Sequence, residues 1–140
     1  MKYVLPTILV IDAIVTTVFG IVLRLFPVES IGTLFDMTGP EQAVKIFMTN
    51  SMATFYVLLG LVCVVGLKAE RRTQILIGGI MAFRHAWIGT QGFVDRNAEW
   101  LIGSPWPDIH IHSGFVIVYL TGIVYWGRML RATNGGSQGT

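Results

Sequence analysis

Charged side chains are scarce in this sequence of 140 residues, where Asp, Glu, Lys and Arg make up 13% and hydrophobic residues make up 53%. Soluble domains contain about 25% charged residues, and the mean hydropathy of +0.64 is far from that class. The formal net charge of +2 comes from basic residues scattered at predicted helix ends, which excludes a continuous nucleic-acid-binding patch. The composition therefore indicates an integral membrane protein that does not bind nucleic acid.

Cysteine occurs only at Cys63, inside an apolar run. A single cysteine excludes an intrachain disulfide and a cysteine-based metal site, so we interpret Cys63 as a small packed hydrophobe. The sequence also lacks the alternating apolar pattern of strands. We therefore predict neither a phosphate-binding loop after a strand nor a nucleophile elbow.

Four apolar runs are each able to cross a membrane, which takes about 20 residues in a helix. We predict an all-α fold, an antiparallel four-helix transmembrane bundle that forms one domain over residues 1–140, with spans at about 3–26, 46–67, 73–93 and 109–130. No small-residue cleavage site follows the first run, which predicts a retained span. Pro27 ends that span, and residues 28–45 predict a short amphipathic segment at the membrane interface. The polar, glycine-rich residues 133–140 predict a flexible tail.

Basic residues predict the orientation of the bundle. Four spans place the N-terminus, the connection between spans two and three, and the C-terminus on one side of the membrane. That side holds more basic residues than the other, namely Lys2, Lys68, Arg71, Arg72, Arg128 and Arg131 against Arg24, Lys45 and Arg96. By the positive-inside rule, both termini are expected in the cytoplasm.

Asp12 and Arg84 fall near the middle of the first and third spans, where an ionised side chain costs about 3 kcal/mol or more. Arg84 is expected to have a partner, and Asp12 and Asp108 are the candidates. His85 points about 100° away from Arg84 on an ideal helix, so the two cannot face one ligand head-on, although both can line a groove. Asp12 and His85 are also interpretable as hydrogen-bonded packing residues without a site role.

The start of the fourth span, Ser104 to Ser113, concentrates polar chemistry. Asp108 and His112 are four residues apart, which predicts a shared helix face and a hydrogen bond, whereas His110 points elsewhere. Such a carboxylate orients an imidazole for acid–base work or as a metal ligand. Pro107 makes Asp108 a candidate helix N-cap instead.

The spacing of the histidines bears on whether the chain can hold a metal ion or a pigment. His85, His110, His112 and one carboxylate would suffice for zinc or non-haem iron, but an H-x-H pair at a helix start places its rings on different sides. One axial histidine could hold a haem or a chlorin, yet no second signature accompanies it. We predict no metal and no cofactor.

In this topology the polar residues form a cluster in the outer half of the membrane, which predicts a pocket with apolar walls and a few convergent polar groups. We expect it to bind a hydrophobic, lipid-like small molecule and expect that it could transform that molecule by acid–base isomerisation, cyclisation or hydrolysis. The candidate catalytic residues are Asp12, Arg84, His85, Asp108 and His112. The candidate substrate-binding residues are Asn50, Trp87, Gln91, Trp106, His110, Phe115 and Tyr119.

Two alternatives to a ligand pocket remain. The polar residues could form interhelical hydrogen bonds only, as Asn50 would toward a neighbouring helix. The chain could also be a non-catalytic accessory subunit of a larger membrane complex, or a homo-oligomer, in which glycines let helices approach closely. The glycines in question are Gly60, Gly66, Gly78, Gly79, Gly89, Gly92, Gly114, Gly122 and Gly127.

The number and order of the spans, the Leu25-Phe26-Pro27 exit from the first span and the interfacial segment after it resemble the small four-helix bacterial membrane proteins of the DoxX-like kind. The resemblance implies a four-helix fold in the cytoplasmic membrane of a bacterium. It implies no particular activity, because members of that broad group are mostly of unassigned function. No residue role is transferred from it.

Overall fold

The computed structural model of the chain describes residues 3–32, 38–97 and 103–135. These residues form five helices and no strand: α1 (Val4–Leu25), α2 (Pro27–Ile31), α3 (Gln42–Lys68), α4 (Arg71–Val94) and α5 (Trp106–Gly135). The prediction of an all-α fold is confirmed. Three of these helices are long and apolar enough to cross a membrane, namely α1, α3 and the Trp106–Ala132 part of α5. The predicted third span coincides with α4, which is the least apolar of the four long helices.

The break after the first span follows from proline chemistry. Phe26 has a non-helical backbone (φ −133°, ψ 61°), because the residue before a proline is driven out of the α region. Pro27 then opens α2, where its missing N–H is not needed. Of the predicted interfacial segment 28–45, the first residues form the short helix α2, and residues 42–45 already belong to α3, which begins before the predicted second span. Residues 33–37, which include Asp36, lie outside the described residues.

One prediction about helix ends is wrong. Asp108 is not the N-cap of the last helix, because α5 begins at Trp106 and Asp108 lies in its first turn. Pro107 is tolerated there since first-turn N–H groups have no helical partner. Residues 133–135 of the predicted tail form the end of α5, which ends at Gly135. Residues 136–140 lie outside the described residues.

The helices alternate in direction, as neighbouring contacts show. Gly20 lies against Ala53 and Gly60 lies against Thr17, so α1 and α3 are antiparallel. Gly89 lies against His112 and Gly78 lies against Ile123, so α4 and α5 are likewise antiparallel. We call the end of the bundle with the last turn of α1 and the first turn of α5 the Asp108 end, and the opposite end the Lys68 end.

The four long helices differ in how closely each pair of them packs. The pairs α1–α3 and α4–α5 contact each other along most of their length, and α1 also contacts α5. The contacts of α4 with α1 and with α3 are few. The core cluster lies between these helices and includes Leu5, Leu9, Cys63, Met81 and Tyr119. Cys63 is fully buried, which confirms its interpretation as a packed hydrophobe. Many large apolar side chains face outward, as expected when the surrounding solvent is lipid.

Six of the nine glycines named above contact a neighbouring helix, and three do not. A methyl group added at Gly60 would lie 2.1 Å from Thr17 Oγ1, so α1 and α3 approach closely because this residue has no side chain. Gly66, Gly78, Gly89, Gly92 and Gly122 also lie against side chains of another helix. Gly79, Gly114 and Gly127 face open space among the described residues. Most of these glycines therefore serve packing inside one chain.

Candidate functional site

The Asp12 carboxylate is the centre of a buried polar network formed by α1, α4 and α5. Its side chain is 1% exposed. Oδ1 accepts from Thr16 Oγ1 at 2.7 Å and from Arg84 Nη1 at 3.4 Å. Oδ2 accepts from Tyr119 OH at 2.7 Å and lies 2.9 Å from His85 Nε2. Each oxygen thus has two partners, which offsets the cost of burying a carboxylate in a medium of low dielectric.

Helical spacing brings these side chains to the interior. Leu5, Leu9, Asp12 and Thr16 are buried at intervals of three or four residues and form one face of α1. On α4 the buried residues include Gly78, Met81 and His85, at the same kind of interval. The polar residues therefore occupy positions on the buried faces of α1 and α4 that apolar residues otherwise fill.

The ion pair of Arg84 with Asp12 confirms one of the two candidate partners proposed from the sequence. Asp108 is not the partner. Although the two side chains leave α4 about 100° apart on an ideal helix, Arg84 and His85 both contact the Asp12 carboxylate. The long arginine side chain reaches around the helix, and its guanidinium carbon lies 4.9 Å from the centre of the Tyr56 ring on α3.

A second line of contacts runs from His85 toward the Asp108 end. His85 Nδ1 lies 2.6 Å from His112 Nδ1, and His112 Nε2 lies 3.3 Å from Asp108 Oδ1. The predicted Asp108–His112 pair is therefore present. Phe115 stacks on His85 with ring centres 4.4 Å apart. Side-chain exposure rises along the line from 1% at Asp12 to 4% at His85, 12% at His112 and 53% at Asp108.

Other predicted site residues lie apart from this network. His110 stacks on Trp106, with ring centres 5.9 Å apart, and does not share the face of His112. Gln91 donates a hydrogen bond to Asp95. Asn50 Oδ1 is buried and has no hydrogen-bond partner in the part of the chain that the structure describes, so the interhelical contact expected of it is not seen there.

A groove of about 540 Å³ separates α3 from α4 where these helices diverge. It lies in the half of the bundle nearer the Asp108 end, and its walls are mainly apolar. Of the predicted site residues, Arg84 and Trp87 line it, whereas Phe115 and Tyr119 belong to the buried network. Its lining is Ser51, Met52, Phe55, Tyr56, Leu59, Arg84, Trp87 and Ile88.

The α3 wall of the groove was missed by sequence reasoning. Met52, Phe55, Tyr56 and Leu59 follow the i, i+3, i+4, i+7 spacing of one helix face. That spacing was visible in the sequence, but nothing in it distinguishes a groove wall from a packed face. A smaller groove of about 280 Å³ lies between α1 and α3, with Arg24 among its lining residues.

The two imidazoles are too close to share a metal ion in this arrangement. Zinc lies about 2.0–2.1 Å from a histidine nitrogen, whereas the two Nδ1 atoms are 2.6 Å apart. The described residues also contain no group of three or more His, Cys, Asp or Glu side chains arranged to hold a metal ion. The geometry is instead that of a hydrogen bond between rings.

Comparisons with known proteins add no family to these observations. Searches of the chain against protein-family models, curated proteins and solved structures found no match. The resemblance to DoxX-like proteins therefore stays a prediction.

Proposed function

We propose that this chain is a four-helix membrane protein that binds a hydrophobic, lipid-like molecule in the groove between α3 and α4 and holds an anionic or carbonyl oxygen of that molecule with Arg84. The observation that supports the proposal is a guanidinium in a mainly apolar groove at membrane depth. The Arg84 side chain is 14% exposed, and its hydrogen bonds to described residues all use Nη1. Since arginine has five N–H donors, Nη2 and Nε can serve a ligand.

The proposal includes α4 as a membrane span, the third along the chain, despite its polar residues. Two polar side chains of α4 are buried: His85 is in the Asp12 network, and Gln74 donates to the Leu67 carbonyl at the end of α3. In the middle of α4 the outward side chains are apolar, with Leu76, Ile80 and Phe83 all exposed, whereas the exposed polar residues of this helix lie near its ends. A helix whose polar groups are satisfied inside the bundle can cross lipid.

The orientation of the proposed bundle is tested by cysteine labelling. In a Cys63→Ala background, we expect Glu70→Cys to be labelled by a membrane-impermeant maleimide only after the membrane is opened. Asn97→Cys should be labelled in intact cells, because α4 separates the two positions. Labelling of Glu70→Cys in intact cells would contradict the orientation. Labelling of both positions from the same side would contradict α4 as a span.

The geometry favours binding over chemical conversion. Isomerisation, cyclisation or hydrolysis would require Asp12 or His85 to reach the ligand, and their side chains are 1% and 4% exposed. Arg84, by contrast, lines the groove. A conversion step would first require Arg84 to move away from Asp12. We therefore propose binding as the function and oxyanion stabilisation by Arg84 as its chemical contribution.

Mass spectrometry of the small molecules that co-purify with the protein tests the proposal. The informative variant is the double substitution Asp12→Asn/Arg84→Met, which removes both charges of the buried pair and so leaves neither unpaired. A charge-assisted hydrogen bond contributes about 1.5–3 kcal/mol, so we expect the ligand to bind about 10- to 100-fold more weakly. Arg84→Lys should retain part of the ligand signal, because it preserves the charge.

Arg96→Met is the matched control, since Arg96 also lies over an aromatic ring, Phe93, but outside the groove. It should retain the wild-type ligand. The proposal is abandoned if wild type and the double variant fold and retain the same molecules in equal amounts. It is also abandoned in favour of the accessory-subunit alternative if a helix of another protein crosslinks to a photoreactive residue at Phe55 in the groove and excludes small molecules.

A further inference from the structure

We infer that the line from Asp108 through His112 and His85 to Asp12 is a proton path, along which Asp12 takes up a proton when an anionic head group engages Arg84. The path itself follows from four side chains in contact, and its coupling to a ligand rests on the function proposed above. The line begins at a carboxylate that is 53% exposed and ends at one that is 1% exposed. It therefore connects the surface at the Asp108 end with the bundle interior.

The distance of 2.6 Å between the two Nδ1 atoms requires a proton between them. If both rings were neutral and donated from Nε2 to their carboxylates, two lone pairs would face each other at this distance. The contact of His85 Nε2 with Asp12 takes a second proton. In the proposed path a third proton lies on His112 Nε2, which is 3.3 Å from Asp108 Oδ1 in an ion pair. With both carboxylates ionised, the two imidazoles together hold one positive charge.

The charges of the network then sum to zero. Asp12 and Asp108 contribute two negative charges, while Arg84 and the histidine pair contribute two positive ones. The remaining neighbours are neutral: Thr16 on α1, Tyr119 on α5, and Tyr56 and Cys63 on α3. A neutral group of this kind can lie within a membrane at moderate cost, whereas one extra charge cannot.

An anion at Arg84 disturbs this balance. It places a second negative charge beside Asp12, which favours the protonated form of that carboxyl group. His85 gives its Nε2 proton to Asp12, and His112 gives its Nδ1 proton to the Nδ1 atom of His85. Both rings are then neutral. Asp108 accepts one proton from water at the surface, so the network with its bound anion is again uncharged.

The shared proton is tested without any ligand. In protein with ¹⁵N-labelled histidine in lipid bilayers, we expect NMR coupling between the two Nδ1 nitrogens across their hydrogen bond. His112→Ala should abolish the coupling, and His110→Gln should remove only the signals of the third histidine. Asp108→Asn should slow exchange of the shared proton with D₂O by about tenfold, equivalent to about 1.4 kcal/mol in barrier. Uncoupled nitrogens in the wild type, or unchanged exchange in Asp108→Asn, would overturn the path.

The coupling to a ligand is tested with 1-dodecanesulfonate, whose head group keeps its charge over the whole accessible pH range. Calorimetric titration of the protein in nanodiscs, in two buffers of different ionisation enthalpy, should show uptake of about one proton per bound sulfonate, as linkage requires. The Asp12→Asn variant should bind with no uptake. Binding without proton uptake in the wild type would overturn the coupling alone. Absence of binding would overturn the function proposed above and the coupling with it, while the NMR result decides the path independently.

Discussion

Replacing Asp12 with leucine is expected to destabilise the protein by about 3–5 kcal/mol, the cost of removing one partner of a buried ion pair. The substitution leaves the Arg84 guanidinium without its counter-ion and deprives Thr16, His85 and Tyr119 of their common acceptor. The measurement is the free energy of unfolding in mixed micelles, titrated with sodium dodecyl sulfate and followed by circular dichroism. Asp12→Asn should cost less, because one oxygen still accepts.

The double variant Asp12→Leu/Arg84→Met separates the ion pair from simple loss of packing. Because it removes both charges, we expect it to be more stable than Asp12→Leu alone. The effects of the two substitutions on the free energy of unfolding are then not additive, as for other residues in contact. Glu29→Leu is the surface control, since Glu29 is exposed in α2. It should change stability by no more than about 0.5 kcal/mol. Equal effects of Asp12→Leu and Glu29→Leu would contradict the buried network.

The parts of the network that could be predicted from sequence are those governed by local rules. Asp108 and His112 are one helical turn apart, so their contact follows from spacing alone. The Asp12–Arg84 pair follows from energetics, because an arginine at membrane depth needs a counter-ion and only two carboxylates, Asp12 and Asp108, were candidates. Neither argument requires knowledge of how the helices are arranged.

The contact between His85 and His112 could not be predicted in this way. Periodicity tells which face of a helix a residue occupies, but not its height relative to a residue on another helix. That height depends on the connection between α4 and α5 and on where α5 begins, and the start of α5 was misplaced by the N-cap interpretation of Asp108. Tyr119 was predicted to bind a ligand, and nothing in the sequence places its hydroxyl group beside Asp12, which it contacts in the structure.

The groove depends on unequal packing, which the count of four apolar runs does not reveal. Small residues such as Gly20 and Gly60 let α1 and α3 approach closely. On the facing sides of α3 and α4, the large side chains of Tyr56, Arg84 and Trp87 occur instead. Small residues favour close helix contact in membranes, so this difference explains why α3 packs on α1 and diverges from α4.

Replacing Tyr119 with alanine is expected to destabilise the protein by about 3–5 kcal/mol, as for other buried aromatic residues. Tyr119 is fully buried in the core cluster and lies close enough to Gly78 to contact α4. Since lipid is as apolar as the bundle interior, most of this cost comes from lost packing contacts rather than from transfer out of water. The same unfolding titration measures it.

Tyr119→Phe isolates the hydroxyl group, because it preserves the ring and removes only the hydrogen bond to Asp12. Hydrogen bonds between membrane helices contribute about 0.6 kcal/mol on average, so this variant should be much more stable than Tyr119→Ala. Phe83→Ala is the control for ring removal at a lipid-facing position, since Phe83 is 69% exposed. If Tyr119→Ala proves as harmless as Phe83→Ala, Tyr119 does not occupy the core. If Tyr119→Phe is as damaging as Tyr119→Ala, the hydroxyl group and its place in the Asp12 network, rather than the ring, stabilise this part of the bundle.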